Sequence, residues 1–356
     1  MKRKLGDLAI IVKSKDSVEK IDRNKYVTTE NMISNRGGVS FPSSTVPKQN
    51  KLDTFDKDDV LVSNIRPYFK KIWKAPFSGY KSGDVLAFRT KDRDILSQEY
   101  LYILLESDRF FEYMTTTAKG TKMPRGDKKA IAEFPFDLPS IDIQKKRSHQ
   151  IEVIEQKISL NQQINANLLN LANTLFKYYF PDINTGTDKI GDYIKNFDKL
   201  RKPLSKKQRS EIPGKYRYIG ATSVNDHIDK YNFDGIYLLL GEDGTVQDEY
   251  GFPILQYTFG KFWPNNHAHV LQGKNVSTEW LYLYFSQRNI SGIVTGAVQK
   301  KVSQKNMNSL KFKLPDSQEL KKFDKIIQPL FSKIRSTKLE NYQLEELKRV
   351  LLTKLF

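Results

Sequence analysis

The chain has 356 residues, and 59 lysines and arginines against 41 aspartates and glutamates give it a formal net charge of +18. This excess of positive charge favours a polyanionic partner, and nucleic acid is the commonest one. The sequence has no cysteine, which excludes disulfides and thiolate metal sites, and no apolar run approaches the roughly 20 residues that span a bilayer. These limits predict a cytoplasmic protein of two or three domains that does not enter a membrane.

The first segment, residues 1–137, combines short β-rich runs, glycine-containing turns and few helices, which predicts an α+β unit. Its middle holds a basic, aromatic stretch from Arg66 to Lys74, and its end holds a second basic stretch from Gly120 to Lys129. Lysine and arginine side chains bind phosphates and base edges. The candidate DNA-binding residues of this unit are therefore Arg66, Lys70, Lys122, Arg125, Lys128 and Lys129.

The next segment, residues 138–180, has apolar residues at spacings of three, four and seven, which predicts one long helix with a single apolar stripe. From Asp142 to Phe180 this helix would be roughly 58 Å long at 1.5 Å per residue. A helix of that length with one apolar stripe requires a partner. Asn161 and Asn165 interrupt the stripe, and the residues predicted to pair are Ile151, Ile154, Ile158, Leu168 and Leu175.

A linker of turn residues, 181–188, leads to a second α+β unit at residues 189–313. Lys300, Lys301 and Lys305 stand where the first unit has its second basic stretch, so they are candidate DNA contacts as well. His267 and His269 lie two residues apart. Without cysteine or a clear carboxylate partner, the pair favours a polar loop or a DNA contact over a metal site. The run Gly241 to Gly244 predicts a turn.

The last segment, residues 314–356, repeats residues 138–180 without a gap when the sequence is shifted by 176 positions. Leu138 and Pro139 align with Leu314 and Pro315, and the polar interruption recurs at Thr337 and Asn341. Pro329 departs from the pattern, so it should lie in the first turns of the helix or kink it. The residues predicted to pair in this second helix are Ile327, Leu330, Ile334, Leu344 and Leu351.

The repeat defines the predicted architecture. The chain is expected to form two globular α+β domains joined by two long helices that pair as an antiparallel coiled coil, with pseudo-two-fold symmetry. The two units share a set of aligned segments but differ in the stretches between these segments. This is the pattern expected of two domains that recognise two different sequences. The basic loops recur at matched positions, which favours DNA contact over the alternative of a solvated surface loop.

A catalytic interpretation finds little support in the sequence. There is no Gly-x-x-x-x-Gly-Lys-Ser/Thr phosphate loop, no Asn/Asp-Pro-Pro-aromatic motif for amino-group methylation and no glycine-rich methyl-donor loop. Glu155-Gln156-Lys157 looks like the end of a nuclease motif, but it lies on the predicted long helix. We therefore expect no catalytic residues, no metal site and no cofactor on this chain.

The sequence resembles the specificity subunit of a type I restriction-modification system. The helix text from Gln156 to Asn165 and from Leu168 to Lys177 carries the resemblance, together with the stretch Ile65-Arg66-Pro67-Tyr68 and the glycine-and-basic loop before each helix. The resemblance covers essentially the whole chain. The second helix, with Thr337 to Asn341, matches the family less closely than the first.

The resemblance implies two target-recognition domains, each reading one half of a split double-stranded DNA sequence, and two helices that hold two methyltransferase subunits. Those subunits would carry S-adenosylmethionine, and a separate motor-nuclease subunit would use ATP and magnesium. Two alternatives stay open. One is the specificity subunit of a bipartite type II system, and the other is a helical adaptor protein that does not bind DNA.

Overall fold

The structure is a computed structural model that describes residues 2–18, 20–45, 47 and 51–356. The chain forms two compact units. Unit 1 comprises Met1–Ser159 and Asn341–Phe356, and unit 2 comprises Leu160–Glu340. Each unit therefore contains part of both long helices, and unit 1 is completed by the last residues of the chain.

Unit 1 is built on two four-stranded sheets. The elements in chain order are β1 (Lys2–Lys4), α1 (Leu5–Leu8), β2 (Ala9–Ile11), β3 (Lys15–Ser17), β4 (Tyr26–Val27), β5 (Lys51–Phe55), β6 (Val60–Ser63), β7 (Ile72–Lys74), β8 (Gly79–Lys81), β9 (Val85–Thr90), α2 (Gln98–Glu106), α3 (Asp108–Thr116), α4 (Lys128–Ala132), β10 (Pro135–Asp137) and the long helix α5 (Ile141–Tyr179). One sheet has the strand order β2-β9-β6-β7, and the other has the order β3-β5-β8-β4, while β1 pairs with β10.

The core of unit 1 lies between its first sheet and helices α2 and α3. Tyr100, Leu104 and Phe110 are fully buried there against strands β6 and β9. Ser97 begins α2 by accepting a hydrogen bond from the backbone N–H of Tyr100, which supplies an orphan donor of the first turn with an acceptor. Leu352, from the C-terminal end of the chain, is buried in the same core.

Unit 2 is built on one six-stranded sheet, and its core holds the stacked rings of Trp280 and Tyr284. The elements in chain order are β11 (Asp188–Lys189), β12 (Ile194–Asn196), α6 (Lys206–Glu211), β13 (Pro213–Ile219), β14 (Val224–Ile228), β15 (Phe233–Gly241), β16 (Leu255–Pro264), β17 (Ala268–Gly273), α7 (Thr278–Ser286), α8 (Gln304–Asn308), β18 (Lys311–Phe312) and the long helix α9 (Ser317–Leu355). The strand order is β12-β17-β15-β16-β13-β14, and β11 pairs with β18.

The two long helices run antiparallel within each unit. In unit 1, the ammonium of Lys348 lies 2.5 Å from Glu155 Oε1 and 2.6 Å from Glu106 Oε1. In unit 2, the rings of Phe176 and Phe323 are in contact. Residues later in α5 thus contact residues earlier in α9, as is expected of antiparallel helices. Each helix has 39 residues and lies inside the segment predicted for it.

The polar interruptions predicted in the two stripes form hydrogen bonds between the two long helices, and Thr337 and Asn165 bond directly to each other. In unit 2, Asn161 Nδ2 donates to Glu340 Oε2 at 2.8 Å, and Thr337 Oγ1 donates to Asn165 Oδ1 at 2.5 Å. In unit 1, Asn341 Nδ2 donates to the carbonyl oxygen of Ile158 at 3.2 Å. Buried polar pairs in an apolar seam cost stability but select one register of the helices.

Most residues of the predicted stripe lie against a core, but not all. Ile151, Ile154, Ile327 and Ile334 are buried, and Leu168, Leu175, Leu330 and Leu351 pack against the cores of their units. Ile158 and Leu344 are half-buried. Leu171 and Leu347, which are matched in the repeat, are 46% and 47% exposed. Pro329 lies inside α9, beyond its first turns.

The predicted fold class is confirmed, because both units are α+β and the long helices run antiparallel in each. The order β2-β9-β6-β7 in unit 1 corresponds to the order β12-β17-β15-β16 in unit 2. Helices α2 and α7 follow that frame with the same N-cap residue, Ser97 and Ser277. Among the described residues, no helix has both the length and the apolar character that crossing a bilayer requires.

Candidate nucleic-acid interface

A basic loop in unit 1, residues 119–125, is closed by two backbone hydrogen bonds and is named loop 1 here. Lys119 and Arg125 donate their N–H groups to each other's carbonyl oxygens at 2.8 Å. Arg66 N donates to Pro124 O at 2.8 Å, so the loop is also fastened to the residues that follow β6. Gly120 has a φ of 94°, a conformation that residues with a side chain rarely adopt.

Unit 2 has the same loop at residues 295–301, named loop 2. Thr295 N donates to Lys301 O at 2.8 Å, and Lys301 N donates to Thr295 O at 2.7 Å. Gly244 N donates to Lys300 O at 2.9 Å, as Arg66 does in unit 1. Gly296 has a φ of 88°. The two loops therefore share their hydrogen bonds and their glycine at the 176-position shift that relates the long helices.

A short helix follows each loop. Asp127 accepts from the N–H of Lys129 at the start of α4, and Ser303 accepts from the N–H of Asn306 at the start of α8. These caps begin the helices next to the loops, and Lys128, Lys129 and Lys305 are exposed in their first turns. A side chain at Gly126, between loop 1 and α4, would come within 2.5 Å of Met114 Cε.

The predicted DNA-binding residues in the loops lie on the surface. Lys122 and Lys300 are exposed, while the half-exposed Arg125 and Lys301 each lie near a carboxylate. Arg125 Nη2 is 3.2 Å from Asp84 Oδ1, and Lys301 Nζ is 3.8 Å from Glu242 Oε1. Both carboxylates compete with phosphate for these exposed cations, and exchanging such an ion pair for a phosphate costs less than about 1 kcal/mol.

The basic, aromatic stretch of unit 1 divides into a surface part and a core part. Arg66, Tyr68 and Phe69 are exposed. Lys70 instead forms an ion pair with Asp108, which also accepts from Arg36 Nη2 at 2.6 Å. Trp73 packs in an aromatic cluster with Phe41, Phe55 and Phe77. Arg66 is therefore the better placed of the two candidate cations in this stretch.

A network of buried charges lies beneath loop 2. His269 is fully buried, its Nδ1 lies 2.6 Å from Asp198 Oδ2, and its Nε2 lies 2.8 Å from the carbonyl oxygen of Val302. Arg201 Nη1 donates to Glu242 Oε2 at 2.6 Å. Because Val302 directly follows loop 2, the network connects the base of the loop to strand β17.

Asp198 is the acceptor at the centre of this network. Burial on its own would raise the pKa of Asp198. The hydrogen bond and charge of His269, the N–H of Val270 at 2.8 Å and the amide of Asn196 outweigh burial and hold the pKa well below its ordinary value. The carboxylate is therefore charged at every pH at which the protein would work.

Asp198, Glu242 and His269 each offer a ligand atom within 4.8 Å of the others, a spacing that a metal ion would accept. Both ring nitrogens of His269 already face oxygen acceptors, and Arg201 adds a positive charge to the same cluster. A cation would have to displace these hydrogen bonds and repel the guanidinium. The donor set fits an ion-pair network better than a metal site.

The structure separates the two histidines that the sequence analysis considered together. His267 is half-exposed and pairs with Asp243, whereas the burial of His269 excludes it from a surface contact. The sequence does not reveal the carboxylate partner of His269, because Asp198 lies 71 positions earlier in the chain. No local spacing connects the two residues.

The chain is similar to several known proteins. A model of the type I restriction modification DNA specificity domain matches residues 1–170 and again residues 187–349. A Haemophilus influenzae protein assigned as a type I restriction enzyme specificity subunit is 30% identical over 129 residues, which cover 36% of this chain and 32% of that protein. The chain thus matches about a third of the length of this relative.

Two further similarities extend over most of the chain. The type I restriction enzyme MjaIX specificity subunit of Methanocaldococcus jannaschii is 21% identical over 345 residues, covering 86% of this chain and 79% of that protein. The crystal structure of a type I restriction-modification S subunit from M. genitalium superposes with a TM-score of 0.53 at 15% identity. That superposition covers 100% of this chain and 96% of the other, and it supports the fold.

Proposed function

The chain belongs to the family of type I restriction modification DNA specificity domains, and from this membership we propose that it recognises a bipartite double-stranded DNA target. Residues 1–137 would read one half of the target and residues 189–313 the other. The observation that carries the proposal is the matched construction of loops 1 and 2, with Arg125 and Lys301 at equivalent positions. A frame used twice with different surroundings suits two readers of different half-sites.

The proposed DNA contacts are the exposed cations on and beside the two loops. Lysine and arginine at these positions supply the sequence-independent attraction to phosphates, and arginine, asparagine or glutamine nearby can read base edges. The proposed contacts are Arg66, Lys70, Lys122, Arg125, Lys128 and Lys129 for one half-site, and Lys300, Lys301 and Lys305 for the other. Lys70 contributes only if its pair with Asp108 opens.

The long helices are the proposed docking surface for two methyltransferase subunits. Both helices carry apolar side chains that face away from the cores of their units, including the matched pair Leu171 and Leu347. In unit 2, Leu160 and Leu171 of α5 lie eleven residues apart, which places them on one face of the helix. An apolar face of this kind on a long helix supports contact with another protein.

Catalysis would belong to the partners. The methyltransferase subunits would bring S-adenosylmethionine, and a motor-nuclease subunit would bring ATP and magnesium. This chain would add no catalytic residue and no cofactor of its own, and the complex would act on DNA in the cytoplasm. The absence from the sequence of phosphate-loop and methyl-donor motifs supports this division of work.

The test is an exchange of domains in the complex reconstituted with its methyltransferase subunits. Replacing residues 1–137 by the equivalent segment of a relative with another target should change one half of the methylated sequence and leave the other half as it was. Methylation sequencing of the modified DNA reads both halves at once. Replacing residues 189–313 is the matched control and should change only the other half.

Two outcomes would contradict the proposal. If either exchange altered both halves, the two segments would not read DNA independently. If the wild-type complex neither bound nor methylated DNA with all its subunits present, the helical adaptor that does not bind DNA would be the better interpretation.

A further inference from the structure

A cleft with a volume of about 520 Å³ lies on the second sheet of unit 1. Three lysines line it, Lys15, Lys51 and Lys81, together with the carboxylate of Asp53. Strand pairing sets Lys15 beside Asp53 and Asp53 beside Lys81, so the three residues lie side by side on β3, β5 and β8. Among the described residues that line the cleft, positive charge exceeds negative charge by two.

Lys81 is the unusual member of this group. Its side chain is 5% exposed, and its ammonium donates one hydrogen bond, to the carbonyl oxygen of Val85 at 3.0 Å. Within residues 2–18, 20–45, 47 and 51–356, no carboxylate lies within 4 Å of that ammonium. Burial lowers the pKa of Lys81, although Asp53 draws it upwards. A buried ammonium is costly unless hydrogen bonds and an opposite charge compensate it, and among the described residues one protein acceptor meets this one.

The cleft adjoins loop 1. Gly83 lines the cleft, and the next residue, Asp84, accepts from Arg125 of loop 1. Lys128, at the start of α4, is close enough for its charge to oppose that of Lys81. A nucleic acid strand that contacts loop 1 would thus have this cleft beside it. Phosphates recur along such a strand every few ångströms, so one of them can enter the cleft while another meets the loop.

We propose that the cleft of Lys15, Lys51 and Lys81 binds a phosphodiester of the DNA strand that loop 1 contacts. This inference rests on the proposed function, since it takes the ligand to be DNA. A phosphodiester carries a single negative charge and two unesterified oxygens, which suits the buried ammonium of Lys81 and the excess of two positive charges among the described lining residues. Lys15 and Lys51, which are exposed at the rim, would hold the neighbouring backbone.

The arrangement predicts that Lys81 lowers the stability of the free protein and raises the affinity of the complex for DNA. Lys81→Met keeps the length of the side chain and removes the buried charge. The free chain should unfold at the same temperature as the wild type or at a higher one. The complex with its methyltransferase subunits should bind DNA about tenfold more weakly, which is the expected cost of one charged hydrogen bond.

The decisive measurement is ethylation interference on DNA bound by the complex, because ethylation neutralises one phosphate at a time. Wild-type binding should be sensitive to ethylation at a phosphate in the half-site of unit 1, and the Lys81→Met complex should lose sensitivity at that phosphate alone. Lys57→Met, an exposed lysine of unit 1 outside the cleft, is the matched control and should leave the pattern unchanged. If Lys81→Met fails to fold, Lys15→Gln with Lys51→Gln repeats the test.

The other outcomes decide against the inference in distinguishable ways. A wild-type ethylation pattern in both cleft variants would mean that the cleft holds no phosphodiester, while the proposed function would stand. Absence of any DNA binding by the wild-type complex would remove the proposed function itself. Stabilisation of the wild-type chain by inorganic phosphate, lost in Lys81→Met while DNA binding stays intact, would assign the cleft to a free anion instead.

Discussion

Strand β9 of unit 1 carries Leu86 at the position where β17 of unit 2 carries His269. Leu86 pairs in register with Val62, and His269 pairs in register with Leu240. The position beneath loop 1 is therefore apolar, while the one beneath loop 2 belongs to a buried network of charges. The backbone of the loop is the same in both units, so it does not depend on which of the two chemistries supports it.

The two units also differ in the strands that lie outside their shared strand order. Unit 1 builds β3, β5, β8 and β4 into a separate sheet, whereas unit 2 adds β13 and β14 to the edge of its only large sheet in the described residues. The lysine cleft belongs to the separate sheet, so unit 2 has no counterpart to it at that place. The shared frame sets where a loop stands, and the parts outside the frame determine what surrounds it.

The largest expected effect comes from removing the central carboxylate of unit 2. Asp198→Ala removes the carboxylate that contacts His269 Nδ1 and accepts from the N–H of Val270, and the loss of one partner from a buried pair costs about 3–5 kcal/mol. Hydrogen exchange followed by mass spectrometry should show reduced protection across β15 and β17. Unit 1 should keep its protection, because Asp198 belongs to unit 2.

The comparison variant in unit 1 is Asp84→Ala, which removes a carboxylate from an exposed ion pair. Asp84 is partly exposed and holds Arg125 at the surface, so its loss should cost less than about 1 kcal/mol. A similar loss of protection in both variants would mean that the buried network stabilises unit 2 no more than an exposed ion pair stabilises unit 1.

A smaller effect is expected from acid, and it should differ in sign between the units. The pKa of Asp198 lies below that of an unfolded aspartate, about 3.9. The stability that this carboxylate contributes is therefore complete above that pH and is lost as the pH falls towards the folded pKa. For a carboxyl group in such a position the contribution is about 2 kcal/mol.

Glu106 of unit 1 behaves in the opposite way. Burial and the charge of Glu155 raise the pKa of Glu106, although Lys348 lowers it in part. Its protonated form is the one that folding favours, so its contribution grows as the pH falls and is complete below the pKa of an unfolded glutamate. Pepsin digestion between pH 4 and pH 2 should release fragments of unit 2 first, and earlier release of fragments from unit 1 would contradict the assignment. Asp198→Asn, which cannot titrate, should reduce the difference.

The parts that could be predicted from sequence are those that local patterns determine. The apolar stripes predicted both long helices, and the gapless repeat predicted that their polar interruptions would be equivalent. The same shift predicted that Lys300 and Lys301 would match the basic stretch of unit 1, and the structure builds that stretch as the same loop. Gly120 and Gly296 indicate a turn at the start of each loop, because both have a positive φ, a backbone conformation that favours glycine.

The parts that could not be predicted depend on pairs of residues far apart in the chain. Asp198 and His269, or Lys70 and Asp108, meet only because strands and helices bring them together. Apolar spacing also does not decide burial, since Leu171 and Leu347 have helical apolar spacing but face away from the core. Periodicity assigns a residue to a face of a helix, and it does not say how wide the buried face is.

The smallest and most selective effects are expected from the matched cations of the loops. Arg125→Gln should weaken binding of the complex at the half-site of unit 1, and Lys301→Gln should weaken it at the half-site of unit 2. Each should flatten the salt dependence of binding by about one unit of log–log slope if it removes one phosphate contact. A cation that reads a base would instead cost roughly 1–3 kcal/mol at one position of the target.

Asp84 and Glu242 make this comparison sharper, because they already compete for the two cations in the free protein. Arg125→Gln should therefore weaken binding less than Lys122→Gln, since Lys122 has no ion pair within the part of the chain that the structure describes. Titration of the complex on targets altered in one half-site at a time measures both effects. If affinity and salt slope stay at wild-type values in all these variants, the loops are solvated surface, and the DNA contacts lie elsewhere, with Arg66 and His267 the next residues to replace.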